Sequence, residues 1–274
     1  MGLYNRILVA VDGSDASVHA LSESIKLSYW VRGSVCAIYV APSYEGDLSL
    51  TGVKDLKALS SEPCEIVLAK IKETVEKIDA SIEALCETGE PSEKIIEYAE
   101  TEGFDLIVAG IGKKNNLYRT LIKGVAEKII RFASKDVLII PESTSIGWDN
   151  VLVSSNGLKD TCIINKAIGI IKDYGGELLL LKVSDGNNNG EMIEKEIIHD
   201  LKQHFPGIAN KTFTKKGDVA KAIIDTALEQ NANLIIMGSS VKKNIMNLFF
   251  KSAIGKVIYA SSCPVLVISD NFMK

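Results

Sequence analysis

Short apolar runs alternate along this chain with longer segments in which apolar residues recur at helical spacing. In the first half the runs lie at residues 5–11, 34–40, 81–88, 104–110 and 136–140. Most of them are apolar at nearly every position, which is typical of strands buried on both faces of a parallel sheet. The pattern predicts the order βαβαβαβαβ and a doubly wound parallel sheet with helices on both faces.

The second half of the chain repeats this pattern. Residues 104–140 align without a gap on residues 232–268, at an offset of 128 residues (232 minus 104). The match extends upstream, where residues 89–96 align with residues 217–224. Residues identical in the two copies include Leu106/Leu234, Ile107/Ile235, Gly110/Gly238, Lys123/Lys251 and Lys128/Lys256. Each copy predicts a strand, a loop, a helix and a second parallel strand, with a right-handed crossover.

The repeat predicts two domains joined by a short linker. The chain has 274 residues, which is enough for two domains of ordinary size. We expect the first domain at residues 1–140, the linker at 141–147 and the second domain at 148–274. The linker is bracketed by Pro141 and Gly147 and is rich in small polar residues.

A long polar connection, residues 42–60, precedes a helix that we predict over residues 62–79. A connection of this length is either mobile or functional. The helix carries apolar residues at the spacing of one buried face. That face is predicted to comprise Ile66, Ala69, Val75 and Ile78.

Charge and composition exclude several classes of function. The formal net charge is −4, so we expect no general attraction to nucleic acid or to an anionic membrane surface. No apolar run approaches the roughly 18 to 20 residues of a membrane span. The N-terminus enters a strand almost at once, which argues against a signal peptide. We therefore expect a cytoplasmic protein that binds neither nucleic acid nor membrane.

The cysteines and histidines predict neither a disulfide framework nor a metal site. The five cysteines are an odd number and form no CxxC pair, which indicates a reducing cytoplasm. Cys36 and Cys86 lie inside apolar strand runs, where we expect small buried hydrophobic residues. The three histidines are too few and too scattered to bind a metal together with the cysteines.

Four segments resemble a known family: residues 6–17, 89–100, 104–110 and 124–140. They look like the universal stress protein family, in the form that carries two such domains in one chain. The resemblance implies two Rossmann-like (adenine nucleotide alpha hydrolase-like) α/β domains, each a five-stranded parallel sheet with helices on both faces. It also implies that the two domains pair within the chain as single-domain members pair in dimers, with strands 136–140 and 264–268 meeting along their edges. A further homodimer of the whole chain is left open.

Nucleotide-binding members of that family carry a glycine pattern after the fourth strand. It reads glycine, two residues, glycine, nine residues, glycine, then serine or threonine. Phosphates lie there against bare backbone, which only glycine permits, while N–H groups and a hydroxyl donate hydrogen bonds to them. In those members, an aspartate at the end of the first strand contacts the ribose or the adenine of the nucleotide.

The first half keeps part of this pattern. Asp12 and Gly110 are present, whereas Lys113 and Lys123 replace the second and third glycines, and Gly124 replaces the hydroxyl residue. The positive charge of a lysine attracts phosphate. Its Cβ, however, fills space at a position where the phosphate would lie against bare backbone. Asp12 equally fits a strand-to-helix turn with a capping carboxylate, so both interpretations remain open.

The second half keeps a different part. Gly238 and Ser252 match the first glycine and the hydroxyl residue, whereas Val241 and Lys251 replace glycines and Asn156 replaces the aspartate. Neither half therefore holds the full pattern. The resemblance implies degenerate sites that bind ATP weakly or not at all, with the first half the better candidate.

The positions that the resemblance assigns to an adenine nucleotide or another small anion are Asp12, Val40, Gly110, Gly112, Lys113, Lys123, Gly124, Val125, Asn156, Val183, Gly238, Lys251 and Ser252. No Walker-type lysine motif, nucleophile elbow, Ser/His/Asp spacing or paired carboxylates surround the glycine loop. We therefore expect a non-catalytic stress-response protein. The alternatives are slow ATP hydrolysis, which needs no dedicated residue, and a purely protein-interaction scaffold with partners that no motif identifies.

Overall fold

The computed structural model describes residues 3–42, 56–112, 119–154, 161–184, 210–239 and 252–269. In the first half, strands and helices alternate in the predicted order. The strands are β1 (Arg6–Ala10), β2 (Ser34–Ala41), β3 (Glu83–Thr88), β4 (Leu106–Ile111) and β5 (Asp136–Pro141). The helices are α1 (Asp15–Val31), α2 (Leu56–Ile78), α3 (Pro91–Thr101) and α4 (Arg119–Phe132).

The second half follows the same plan. Its strands are β6 (Asn150–Ser154), β7 (Glu177–Ser184), β8 (Asn210–Lys216), β9 (Leu234–Gly238) and β10 (Val265–Ile268). Its described helices are α5 (Thr161–Tyr174), α6 (Val219–Glu229) and α7 (Ala253–Ala260). The helix that the pattern predicts before residue 204 lies outside the described residues.

The ten strands that the structure describes form one sheet. Their order is β3-β2-β1-β4-β5-β10-β9-β6-β7-β8. Neighbouring strands are parallel within each half, whereas β5 and β10 pair antiparallel, with Leu138 opposite Leu266. The two five-stranded sheets that the resemblance implied are therefore confirmed, and so is the meeting of the last strands along their edges.

The two faces of the sheet carry separate hydrophobic cores. Alternate residues of a strand point to opposite faces: Ile7 and Val9 belong to the core beneath α1, α2 and α5. Leu8, between them, belongs to the core beneath α3, α4, α6 and α7. We call these two faces the α1 face and the α3 face. Both run across the two halves, because the β5–β10 pairing keeps the sheet continuous.

The helix α2 buries a different stripe from the predicted one. Val67, Ile71 and Thr74 are buried, whereas Ile66 is 54% exposed and Ala69 is exposed. The buried residues are spaced by four and three positions and face α1 and β2. The prediction chose apolar residues about one position away from this stripe, and for Ile66 and Ala69 it was wrong.

The structure also contains a disulfide that the cysteine spacing did not predict. Cys64 of α2 is bonded to Cys86 of β3, with their Cα atoms 5.9 Å apart. The expectation that Cys86 is merely a small buried hydrophobic residue was therefore wrong. Packing of α2 over the sheet brings the two residues together although 22 positions separate them. Cys36 and Cys263 are unpaired and buried, as expected for Cys36.

The segment after β5 is held against the first half. The Glu23 side chain is buried in α1, and its carboxylate accepts a hydrogen bond from the Ile146 N–H at 2.9 Å. The His19 Nε2 atom lies 2.6 Å from the Thr144 carbonyl oxygen. The first half therefore orders this segment, while a domain boundary at residues 141–147 stays a prediction.

Candidate functional site

The candidate site of the first half lies where the chain leaves the carboxyl ends of β1 and β4. These two strands are neighbours, while β1 connects through α1 to β2 on its other side. Such a reversal of strand order opens a crevice in doubly wound sheets. The helix α1 begins at this edge, with Ser14 as its N-cap. The site thus combines a loop with a helix N-terminus.

Asp12 is exposed, and its carboxylate is ordered by the turn that it begins. Its Oδ1 atom accepts hydrogen bonds from the Ser14 N–H at 3.0 Å and from the Ser14 hydroxyl at 2.6 Å. Its own N–H donates to the Ser17 Oγ atom at 3.3 Å. Burial raises the pKa of Tyr39, and the Asp12 charge raises it further.

Lys70 of α2 is a second charged residue at this loop. Its ammonium donates a hydrogen bond to the Gly13 carbonyl oxygen at 2.7 Å. Gly13 has a φ of +78°, which side-chain-bearing residues rarely adopt, and Val67 packs over it. Sequence analysis missed Lys70, because 57 residues separate it from Gly13 and no motif marks it. It brings a positive charge to the Asp12 turn.

Gly110 is required by packing. A Cβ atom at this position would lie 2.2 Å from the Ala16 carbonyl oxygen and 2.9 Å from the Ser17 nitrogen, both in α1. The absence of a side chain lets α1 approach β4 closely. Gly112, by contrast, is open: a Cβ there would have the Glu142 carboxylate as its nearest neighbour, at 3.7 Å. Of the two glycines, only Gly112 leaves bare backbone without a tight neighbour.

In the second half, the two residues that match the glycine pattern already have structural roles. A Cβ at Gly238 would lie 2.4 Å from the Ile163 Cδ1 atom of α5. The Ser252 hydroxyl oxygen accepts a hydrogen bond from the Gly255 N–H at 3.1 Å, which makes Ser252 the N-cap of α7. Of the two residues that the resemblance assigns to phosphate, the glycine therefore allows close packing of α5, and the serine caps α7.

The remaining predicted positions divide into three groups. Val40 is buried in the core of the α3 face, and Val125 and Val183 are half-buried against the same core. Lys123 lies in α4, but its side chain is outside what the structure describes. Positions wholly outside the described residues are Lys113, Asn156, Val241 and Lys251.

One lysine that is identical in the two repeats, Lys128 and its equivalent Lys256, forms an equivalent ion pair in both halves. The Lys128 ammonium lies 2.9 Å from the Glu90 carboxylate, and the Lys256 ammonium lies 2.8 Å from the Asp218 carboxylate. Both acids are N-caps, of α3 and α6. The Lys256 ammonium, helped by the Lys221 N–H, lowers the pKa of Asp218. The pair therefore joins α3 to α4 in the first half and α6 to α7 in the second half.

Gly124 provides a prediction on stability. It lies inside α4, and a Cβ there would meet no atom within 4 Å. Glycine costs a helix roughly 0.5–1 kcal/mol relative to alanine. We expect Gly124→Ala to raise the free energy of unfolding by about that amount in urea denaturation. A loss of stability would contradict the open space around residue 124.

Among the residues that the structure describes, no group of three His, Cys, Asp or Glu side chains is placed to hold a metal ion. Within the same ranges, no helix is both long and apolar enough to cross a membrane.

Comparison with known proteins identifies relatives of this chain. The sequence model of the universal stress protein family matches residues 3–141 and 163–269. Universal stress protein MJ0531 of Methanocaldococcus jannaschii is 34% identical over 140 residues, which are 50% of this chain and 82% of that protein. Universal stress protein YxiE of Bacillus subtilis is 25% identical over 147 residues, which are 50% of this chain and 99% of that protein. Each of these relatives thus matches about half of the chain.

A solved structure is similar over the whole length. The crystal structure of a universal stress protein from Archaeoglobus fulgidus DSM 4304 superposes with a TM-score of 0.77, covering 97% of this chain and 98% of that one. Its sequence identity is 24%. The comparison therefore shows a common two-part fold.

Proposed function

The chain belongs to the universal stress protein family in its tandem form, and from this premise we propose that it is a non-catalytic, cytoplasmic stress-response protein. In this proposal its first half binds an adenine nucleotide, such as ATP, weakly, and its second half does not. In this proposal, the first half binds the small molecule to which the protein responds. The second half contributes structure and surface only.

The arrangement around Asp12 carries this proposal. An exposed carboxylate is held by Ser14 at the carboxyl end of β1, and the open backbone of Gly112 follows the neighbouring strand β4. A carboxylate accepts hydrogen bonds from hydroxyls and N–H groups, while bare backbone beside a helix N-terminus suits a phosphate. Lys70 adds a positive charge at the same loop. These features support weak binding without the full glycine pattern.

The second half supports the other part of the proposal. Ile163 fills the space beside Gly238, and Ser252 already caps α7. A phosphate beside Gly238 would have to displace the packed Ile163 side chain. Asn156, in place of an aspartate, also removes the negative charge that would face the ribose.

The absence of catalytic motifs in the sequence supports a non-enzymatic role. The sequence carries no nucleophile elbow and no Ser/His/Asp spacing around the glycine loop, and slow hydrolysis of a bound nucleotide would need no dedicated residue.

We expect Asp12→Ala to weaken binding of ATP with Mg²⁺ by about tenfold or more, since a hydrogen bond to a charged group contributes roughly 1.5–3 kcal/mol. Isothermal titration calorimetry at millimolar ATP measures the change. Asp12→Asn keeps an acceptor for Ser14, so it separates loss of charge from loss of the turn. Asp15→Ala, which removes another exposed carboxylate three residues along, is the control and should bind like wild type.

Mass spectrometry of the molecules released on denaturing the purified protein gives an independent measurement. Wild type with no nucleotide in either experiment would contradict the proposed site. Equal losses in Asp12→Ala and Asp15→Ala would place binding elsewhere. Release of inorganic phosphate from ATP at a rate that depends on Asp12 would contradict the non-catalytic role.

A further inference from the structure

The ten-stranded sheet ends in two strands that each have one neighbour among the described strands. At one end β3 pairs with β2, and at the other end β8 pairs with β7. Each outer strand therefore presents a row of backbone N–H and C=O groups away from the sheet. Such rows are templates for pairing with another strand unless side chains prevent it.

The two outer strands carry opposite charges at matched positions. On β3, the alternate residues Glu83, Leu85 and Glu87 point to one face. On β8, the alternate residues are Lys211, Phe213 and Lys215. Leu85 and Phe213 both pack against the core of the α3 face, so both charged triplets lie on that face. Along β3 the order of side chains on this face is acid, apolar, acid, and along β8 it is base, apolar, base.

Strand direction makes these edges compatible. All strands of the first half run parallel to β3, and all strands of the second half run parallel to β8. The antiparallel pairing of β5 with β10 reverses the direction between the halves. A second copy that continues the sheet therefore places its β3 antiparallel to β8 of the first copy, with the α3 face on the same side.

In this orientation the side chains meet in complementary pairs. With Leu85 opposite Phe213, Glu83 of one copy stands opposite Lys215 of the other, and Glu87 stands opposite Lys211. Opposite charges directly across an antiparallel pair stabilise it, whereas like charges destabilise it. Two β3 edges would repel each other, and so would two β8 edges. The charges therefore select the pairing of unlike edges.

We propose that this chain associates with further copies of itself, with β3 of one copy pairing antiparallel with β8 of the next. The contact is heterologous, because the two surfaces differ. Repetition then gives an open, head-to-tail assembly in which the sheet continues from copy to copy.

The charges needed for this contact are at least partly accessible, with Glu83 exposed and Glu87 half-buried. Neither Glu83 nor Glu87 forms an ion pair within the described part of the chain. The Lys211 side chain is 54% exposed and pairs with Glu177, and the Lys215 side chain is 29% exposed and pairs with Glu229. Ion pairs between partly exposed side chains contribute little free energy, so little is lost when each lysine pairs with a carboxylate of another copy instead.

Sedimentation velocity of the full chain at low and at high salt provides the first test. At low ionic strength the weight-average mass should rise with protein concentration. At about 1 M salt, where the Debye length is roughly 3 Å, it should fall towards the mass of one chain. A single-chain mass at every concentration up to about 1 mM in low salt would overturn the proposal.

Charge reversal tests the two edges separately. Glu83→Lys with Glu87→Lys makes both edges basic, and Lys211→Glu with Lys215→Glu makes both edges acidic. Each double variant alone should associate at least about tenfold more weakly than wild type. An equimolar mixture of the two should associate again, because each basic edge then finds an acidic one. Thermal unfolding of each variant confirms that it is folded.

Matched reversals on the exposed surface of α2 change the net charge equally. They are Glu73→Lys with Glu76→Lys, and Lys72→Glu with Lys77→Glu, at side chains that are 66–78% exposed. These controls should associate like wild type. Equal loss in the controls, or no association in the mixture of the two edge variants, would overturn the pairing of β3 with β8.

Discussion

Replacing Asp136 with asparagine is expected to lower the free energy of unfolding by about 3–5 kcal/mol, the cost of breaking a buried ion pair. The Asp136 side chain is 1% exposed at the start of β5. It accepts hydrogen bonds from the Tyr4 hydroxyl at 2.7 Å and from the Ser269 N–H at 3.0 Å, and it forms an ion pair with Lys166. Lys166 and Ser269 belong to the second half, so one carboxylate joins the two halves.

Urea denaturation followed by circular dichroism measures this change. Glu73→Gln is the control, because it removes a carboxylate from an exposed ion pair with Lys77 and should cost less than about 0.5 kcal/mol. The double variant Asp136→Asn with Lys166→Met should be more stable than the sum of its single variants predicts. An Asp136→Asn protein within about 1 kcal/mol of wild type would contradict the proposed role of this carboxylate.

Gly110→Ala is expected to destabilise the protein by about 3 kcal/mol without any nucleotide present. The added Cβ would lie 2.2 Å from the Ala16 carbonyl oxygen, so α1 and β4 must move apart. Overpacking of a well-packed site typically costs about 1–3 kcal/mol, and a rigid backbone neighbour places this change at the upper end. Denaturation in nucleotide-free buffer measures it.

Gly112→Ala is the matched control for this experiment. It adds the same methyl group two residues away, where the nearest atom would be 3.7 Å distant. Its stability should stay within about 0.5 kcal/mol of wild type, as for most surface changes. If Gly110→Ala were equally mild, the glycine would not be required by packing, and a ligand contact would become its better explanation.

Gly110 and Gly238 show which features of a motif can be predicted from sequence and which cannot. The pattern located Gly110 and Gly238 correctly at the ends of equivalent strands. It did not show that Ala16 and Ile163 already occupy the space beside them. The neighbours lie about 75 to 95 positions away in the chain, and only packing of a helix onto the strand brings them close.

The same limit applies to the charged residues. Sequence comparison of the repeats singled out Lys128 and Lys256, but their partners Glu90 and Asp218 became visible only in the structure. For Lys70 at the Asp12 turn, no repeat or motif gave a signal. Side-chain partners across long sequence distances depend on the angle and depth at which helices pack, which periodicity does not specify.

By itself, the sequence determined the order of strands and helices, the internal repeat and the parallel direction within each half, because these depend on local hydrophobic periodicity and on short connections. Only the tertiary structure decided which stripe of α2 is buried, that Cys64 meets Cys86, and that Asp136 binds Lys166 across the two halves. The physical reason is that these contacts join residues from different elements. Their geometry is set when the helices pack on the sheet and β5 pairs with β10.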